Sequence, residues 1–322
     1  MDRFSKTIDS AKGLAILLVV LGHINSPFGV LIFSFHIPLF FFLAGIFIKT
    51  SYTGTVYLAK NINRLMVPFL IFGTLGLVVT ILKNVLLHRP LESVYESLSG
   101  LLYWMDAPHM HHYGFILWFL PALFWGRVFV FISIKYLRLH PGFLTVGSII
   151  IAWLTTLYIT LPFGLDKALV ALPWIVMGFV FYQYHERWLS TTWIGLVGCA
   201  LLTALLVGFF GIQRLDLATK YIGNPFISFP YTLAVILLLV SLLYQCSNFY
   251  GGRVTALMIK FGQNTMLVMV LHVYTNNAAD VLVNRVLGPG YWLITFLLSV
   301  SIVFVAIQMK QRYADSLVFK YL

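Results

Sequence analysis

The chain has 322 residues, of which 60% are hydrophobic, 16% aromatic and only 10% charged, against about 25% charged in ordinary soluble domains. A mean hydropathy of +0.92, spread from one end to the other, excludes a soluble enzyme, a disordered chain and a disulfide scaffold, and requires many membrane spans. The net charge of +11 does not point to a nucleic-acid partner, because the basic residues are dispersed between apolar stretches and form no aromatic-interleaved patch.

In chain order, the N-terminal MDRFSKTIDSAKG places charges before an apolar run and so mimics a signal peptide. No small-residue cleavage site follows, and the run reads as a retained first span. Apolar runs of the length needed to cross, about 17–25 residues, lie at 11–27, 31–48, 66–87, 115–134, 143–162, 168–184, 193–212, 226–244, 258–274 and 291–309. Gly, Pro, Asn and charged residues punctuate the connections. The expected fold is all-α: a polytopic bundle of ten transmembrane helices forming one domain over 1–322. The long connection is 88–114, and no internal repeat is visible. Cys199 and Cys246 both sit inside apolar runs and read as small buried hydrophobes.

With the N-terminus inside, cytosolic segments hold fourteen Lys and Arg residues and outer segments five, while Lys83 and Arg127 fall within spans. The positive-inside rule then puts both termini in the cytosol.

An ionisable side chain at the centre of a span costs about 2.5–3.5 kcal/mol, so such residues invite a functional reading. In the first span Asp9, Lys12 and His23 are three and eleven residues apart. At 100° per residue, the eleven-residue step returns to within about 20° of the same face. They form one stripe, with Lys12 at the cytosolic interface and His23 roughly 16 Å beyond it. His36, in FHIPLFFF, lies a short hairpin away, and His272, in FGQNTMLVMVLH, falls toward the outer end of the ninth run. Three spans thus each offer an imidazole to the outer half, and imidazole is the group that takes and returns a proton near neutral pH. The plain alternative for each is a histidine hydrogen-bonded to a neighbouring helix.

Lys60 and Arg64 are four apart before MVPFL, which puts them on one helix face at the mouth of the third span. A basic mouth invites an anion; the plain alternative is a positive-inside anchor. The outer connection carries Trp104, Asp106, His109, His111 and His112. With no nearby carboxylate cluster, an aromatic and polar surface for a sugar is favoured there over a metal site. Trp118 reads as an interfacial belt residue and is grouped with Trp104 and His272 as the set that could face an acceptor. No P-loop, GxSxG elbow or dinucleotide fingerprint is present.

The stretches IDSAKGLAILLVVLGH, FHIPLFFFLAGIF, NRLMVPFLIFG, LWFLPALF and FGQNTMLVMVLH, spread over nearly the whole chain, resemble the membrane acyltransferase 3 family. The likeness is to its fucose 4-O-acetylase-like branch of sugar O-acetylases. That resemblance implies a ten-helix protein of the bacterial inner membrane. It would take an acyl group, usually acetyl, from cytosolic acetyl-CoA to a hydroxyl of an envelope glycan, such as O-antigen or exopolysaccharide, with no metal. Lys12 stands where the family usually has Arg, and His23 matches its proposed catalytic histidine. Arg64 matches the second arginine of a paired-arginine motif, with Asn61 where the first would be and the charge of Lys60 beside it.

On this resemblance Lys12, Lys60, Asn61 and Arg64 are the expected CoA-binding set. His23 would be a general base or a transient acyl carrier, supported by His36 and by Asp9, which would hold Lys12 in place. A transporter or flippase for an envelope precursor, its imidazoles relaying protons, is the competing class. A glycosyltransferase would need an acidic pair, and Asp and Glu together number only ten.

Overall fold

The computed structural model describes residues 2–88, 93–110, 114–246 and 252–313. Among them the fold is all-α, and the one strand-like feature is an isolated bridge between Asp216 and Tyr221. The helices are α1 (Arg3–Gly22), α2 (Gly29–Phe33), α3 (His36–Ile46), α4 (Gly54–Asn61), α5 (Val67–Leu86), α6 (Ser93–Ser99), α7 (Phe119–Lys135) and α8 (Pro141–Tyr158), then α9 (Leu165–Ser190), α10 (Thr192–Phe210), α11 (Pro225–Cys246), α12 (Arg253–Gln263), α13 (Thr265–Leu287) and α14 (Trp292–Arg312).

Nine helical segments among the described residues are long and apolar enough to cross a membrane, against the ten expected. The tenth is α1, whose first half carries Arg3, Lys6, Asp9 and Lys12. The ninth expected run is also corrected. The polar step Gln263–Asn264 ends α12, and α13 starts afresh and continues to Leu287. Asn264 is held there by the Lys310 ammonium, which donates to its side-chain oxygen at 2.9 Å. His272 therefore lies in the first half of a longer helix rather than toward the end of a shorter one.

At the centre are α7 and α9, while α10 buries almost none of its apolar stretch. Phe143, Ile194, Phe209 and Phe226 all point outward. So much outward apolar surface is untenable in water and suits hydrocarbon. In lipid, helices associate through close packing at small residues, and two glycine pairs provide it here. A Cβ on Gly45 would run into the Ile175 carbonyl and one on Gly178 into the Phe42 carbonyl, so α3 and α9 meet backbone to backbone. Gly13 against Met258 and Gly262 against Asp9 do the same for α1 and α12. These contacts fix α1 and α3 as the walls of a central cavity.

Candidate functional site

The cavity, of about 790 Å³, is in the range of small-molecule sites. From α1 it is lined by Asp9, Lys12, Ile16, Val19 and His23, a stripe at helical spacing about 21 Å long at 1.5 Å per residue. Around Asp9 and Lys12 it is lined by Phe47, Asn61, Asn63, Arg64 and Arg127. Around His23 it is lined by Phe33, His36, Phe115, Trp118, His272 and residues 215–218. One cavity thus has a basic end and an imidazole end.

At the basic end the Lys12 ammonium donates to Asp9 at 3.0 Å and lies 4.2 Å from the centre of the Phe47 ring. Asp9 also accepts from Gln263 at 3.3 Å. Asn61 precedes, and Arg64 lies within, a π-helical turn, Ile62–Met66, closed by Val67 N–H to the Ile62 carbonyl. Pro68 follows, and because proline cannot donate to the Arg64 carbonyl the regular ladder is already broken there. Asn61 is buried; its amide donates to the Tyr57 carbonyl, and its side-chain oxygen accepts from Arg127 Nε at 2.9 Å.

At the imidazole end, His36 Nδ1 lies 2.6 Å from the Ile32 carbonyl oxygen and His272 Nδ1 2.8 Å from that of Met269. A carbonyl only accepts, so both Nδ1 atoms carry the hydrogen and both Nε2 atoms keep a lone pair. His272 Nε2 is buried with no partner among the described residues. The His23 ring is 5.2 Å from that of His272, and the Phe33 ring sits 6.4 Å from His23 and 5.0 Å from His36. His23 itself closes α1 as its C-cap, and among the described residues nothing hydrogen-bonds its ring. Two imidazoles are locked in one tautomer, and no hydrogen bond among the described residues fixes the third.

Residues 211–224 roof this end. Leu215, Leu217 and Ile222 are buried, and Leu215 N–H donates to the Phe33 carbonyl. A buried ion network pins the roof: Lys220 lies 3.2 Å from Asp166, Lys167 donates to Asp166 at 3.1 Å and to Asp106 at 2.9 Å, and His109 meets Asp106 at 2.7 Å.

The expected residues do not all converge. Lys12, Asn61, Arg64, His23, His36, His272 and Trp118 line the cavity. Trp118 is only 6% exposed, a wall residue rather than a belt residue, because it ends the 3₁₀ turn Phe115–Trp118, which packs against α5, α7 and α13. Asp9 lines the cavity too, but at the basic end, about 21 Å along α1 from His23. Lys60 stands outside, exposed, 3.9 Å over the Tyr52 ring; its hydrogen bond and its charge pull the Tyr52 hydroxyl below its usual value. Trp104 also stands outside, stacked on His109 at 4.4 Å. Of the HMHH run, His111 and His112 lie outside the described residues.

Two elements escaped the sequence reading. Arg127 was assigned merely to a span, although an arginine within LWFLPALFWGRVFVF meets the same energetic criterion as His23. The alternation Leu215–Asp216–Leu217 marks a segment with a buried side, which a reading of turns as linkers passes over.

A family model described as an acyltransferase domain matches residues 5–308 of the chain. The chain belongs to the acyltransferase 3 family. It is therefore a multi-pass membrane acyltransferase, and both ends of the cavity fall inside the matched region. Searches of curated proteins and of solved structures return no match.

Proposed function

We propose that this acyltransferase moves acetyl from cytosolic acetyl-CoA to a hydroxyl of a cell-envelope glycan on the opposite side of a bacterial inner membrane, with both termini in the cytosol. The observation that carries this reading is the single cavity joining Lys12, Asn61 and Arg64 to His23, His36 and His272. A donor with an anionic head and a long neutral arm ending in a thioester has that polarity. Its head meets cations and its arm follows the apolar stretch of Ile16 and Val19. The 14-to-5 distribution of basic residues supports the orientation.

His23 acts as the general base. Its ring takes the proton of the acceptor hydroxyl as that oxygen bonds to the acyl carbon, then returns the proton to the departing thiolate. The C-terminal end of α1, where His23 sits, presents the negative end of the helix dipole to the charge the ring acquires. The locked lone pairs of His36 and His272 accept hydrogen bonds from the acceptor or from His23 once protonated, and so fix its orientation. Trp118 supplies an apolar face for a sugar ring; Trp104, outside the cavity, would meet only a longer glycan.

The test is transfer of labelled acetyl from acetyl-CoA to envelope glycan by the purified protein in sealed vesicles, with donor and acceptor on opposite sides. Labelled glycan that disappears in His23→Gln is expected. Movement of unacylated glycan across the membrane, with no label incorporated, would make the protein a flippase and overturn the reading.

A further inference from the structure

Arg127 is the cation least accounted for. It lies mid-way along α7, lines the cavity, and forms no ion pair with a carboxylate among the described residues. Its guanidinium donates from Nε to Asn61 at 2.9 Å, from Nη1 to the Ala44 carbonyl at 2.7 Å and from Nη2 to the Phe47 carbonyl at 3.3 Å. A guanidinium has five N–H donors, so two remain. The carbonyls belong to the C-terminal end of α3, where a cation is welcome, but they carry only partial charge.

Phe47 joins Arg127 to its neighbours. Its carbonyl accepts from Arg127 while its ring carries Lys12, and the charges of Arg64 and Arg127 act on each other. Lys12, Arg64 and Arg127 therefore meet at one end of the cavity, where Asp9 is the carboxylate beside them; Asp216, the other in the lining, sits at the imidazole end. Like charges gathered at low dielectric repel unless an anion sits between them. Arg64 is exposed at the mouth, whereas Arg127 is partly buried further in.

We infer that Arg127 and Arg64 form a paired-guanidinium site for a phosphate ester, in which Arg127 holds the inner phosphate, the one attached to the donor's pantetheine arm. Asn61 is a positioning residue in this site: it accepts from Arg127 Nε and so turns the two free N–H groups toward the cavity. Guanidinium forks bind phosphate oxygens bidentately, which an ammonium cannot do. The inference rests on the donor reading proposed above and adds to it a ligand from a helix that contributes none there.

The test compares CoA, dephospho-CoA, 4′-phosphopantetheine and phosphate-free pantetheine as inhibitors of acyl transfer. Losing a charge-assisted contact of about 1.5–3 kcal/mol predicts that Arg127→Gln weakens the three phosphate-bearing inhibitors about 10- to 100-fold, with pantetheine unchanged. Arg127→Lys keeps a cation on the α3 carbonyls and should fold where Gln does not. It should still weaken the phosphate-bearing inhibitors several-fold, because the fork is lost. Asn61→Ala should give a smaller loss with the same selectivity.

Equal loss for pantetheine and CoA would make Arg127 a structural cap of α3 and overturn the inference. If Arg64→Ala weakens CoA while neither Arg127 variant does, the inference falls and the donor reading stands. If Lys12→Ala, Arg64→Ala and Arg127→Gln all leave CoA inhibition at the parental value, both fall.

Discussion

The two ends of the cavity treat their polar groups in opposite ways. At the basic end three cations face one carboxylate, and their remaining partners are an amide, an aromatic ring and two helix-terminal carbonyls. Charge is left over, which is how a site for a polyanion is built. At the imidazole end two of the three imidazoles are fixed in one tautomer with a lone pair each, the charged group in the lining is the Asp216 carboxylate and no cation among the described residues lines it, and a roof pinned by buried ion pairs closes it. Leftover charge favours holding a ligand, and locked lone pairs favour moving a proton. A bilayer-spanning reaction needs both, separated by an apolar stretch long enough to keep them from neutralising each other.

The sharpest way to break this contrast is at His23. A general base contributes about 10²–10⁴ in rate, so His23→Gln should lose that much transfer while donor inhibition and folding stay near the parental values. The same substitution at His36 or His272 removes an orienting acceptor and should cost less. If His36→Gln is inactive while His23→Gln is not, the base belongs to α3.

The roof offers the next largest effect. Lys167→Met leaves Asp106 and Asp166 buried without their shared ammonium. Removing one partner of a buried ion pair costs about 3–5 kcal/mol, so the thermal unfolding midpoint in detergent should fall clearly. If the contrast between the ends holds, the protein that remains folded binds CoA normally and loses acceptor turnover. Equal loss of both would show that the roof supports the whole cavity.

The parts of this architecture legible in the sequence were those that depend on one helix at a time. The Asp9, Lys12 and His23 stripe follows from 3.6-residue periodicity, and the His23 to His36 hairpin from chain proximity. What was not legible depends on which helices meet. Arg127 reaches Asn61 across 66 residues, and periodicity gives the face of a helix but not its neighbour. The break at Asn264 was hidden because the apolar pattern on either side is continuous enough to read as one span. The roof was hidden because its buried apolar residues, Leu215, Leu217 and Ile222, are too few to register as an element.

Lys12 tests whether charge or fork matters at the basic end. Lys12→Ala removes an ammonium already paired to Asp9 at 3.0 Å, so part of its field is spent, and a loss of roughly tenfold in donor affinity, about 1.4 kcal/mol, is expected. Lys12→Arg should recover most of it, as read by CoA inhibition.

The smallest expected effect is at Lys60, and it discriminates well for that reason. Lys60 and Arg64 are four residues apart and indistinguishable by spacing, yet Arg64 lines the cavity while Lys60 lies over Tyr52 on the exposed side. An exposed ammonium on an aromatic ring is worth about 0.5–1 kcal/mol of local stability and, screened by water and salt, contributes little to an anion across the helix. Lys60→Ala should leave CoA inhibition within about twofold of the parent, against the tenfold or greater loss in Arg64→Ala expected of a charge-assisted phosphate contact. A Lys60→Ala loss as large as that of Arg64→Ala would mean the anion binds on the outer surface of α4, and the donor site would move out of the cavity altogether.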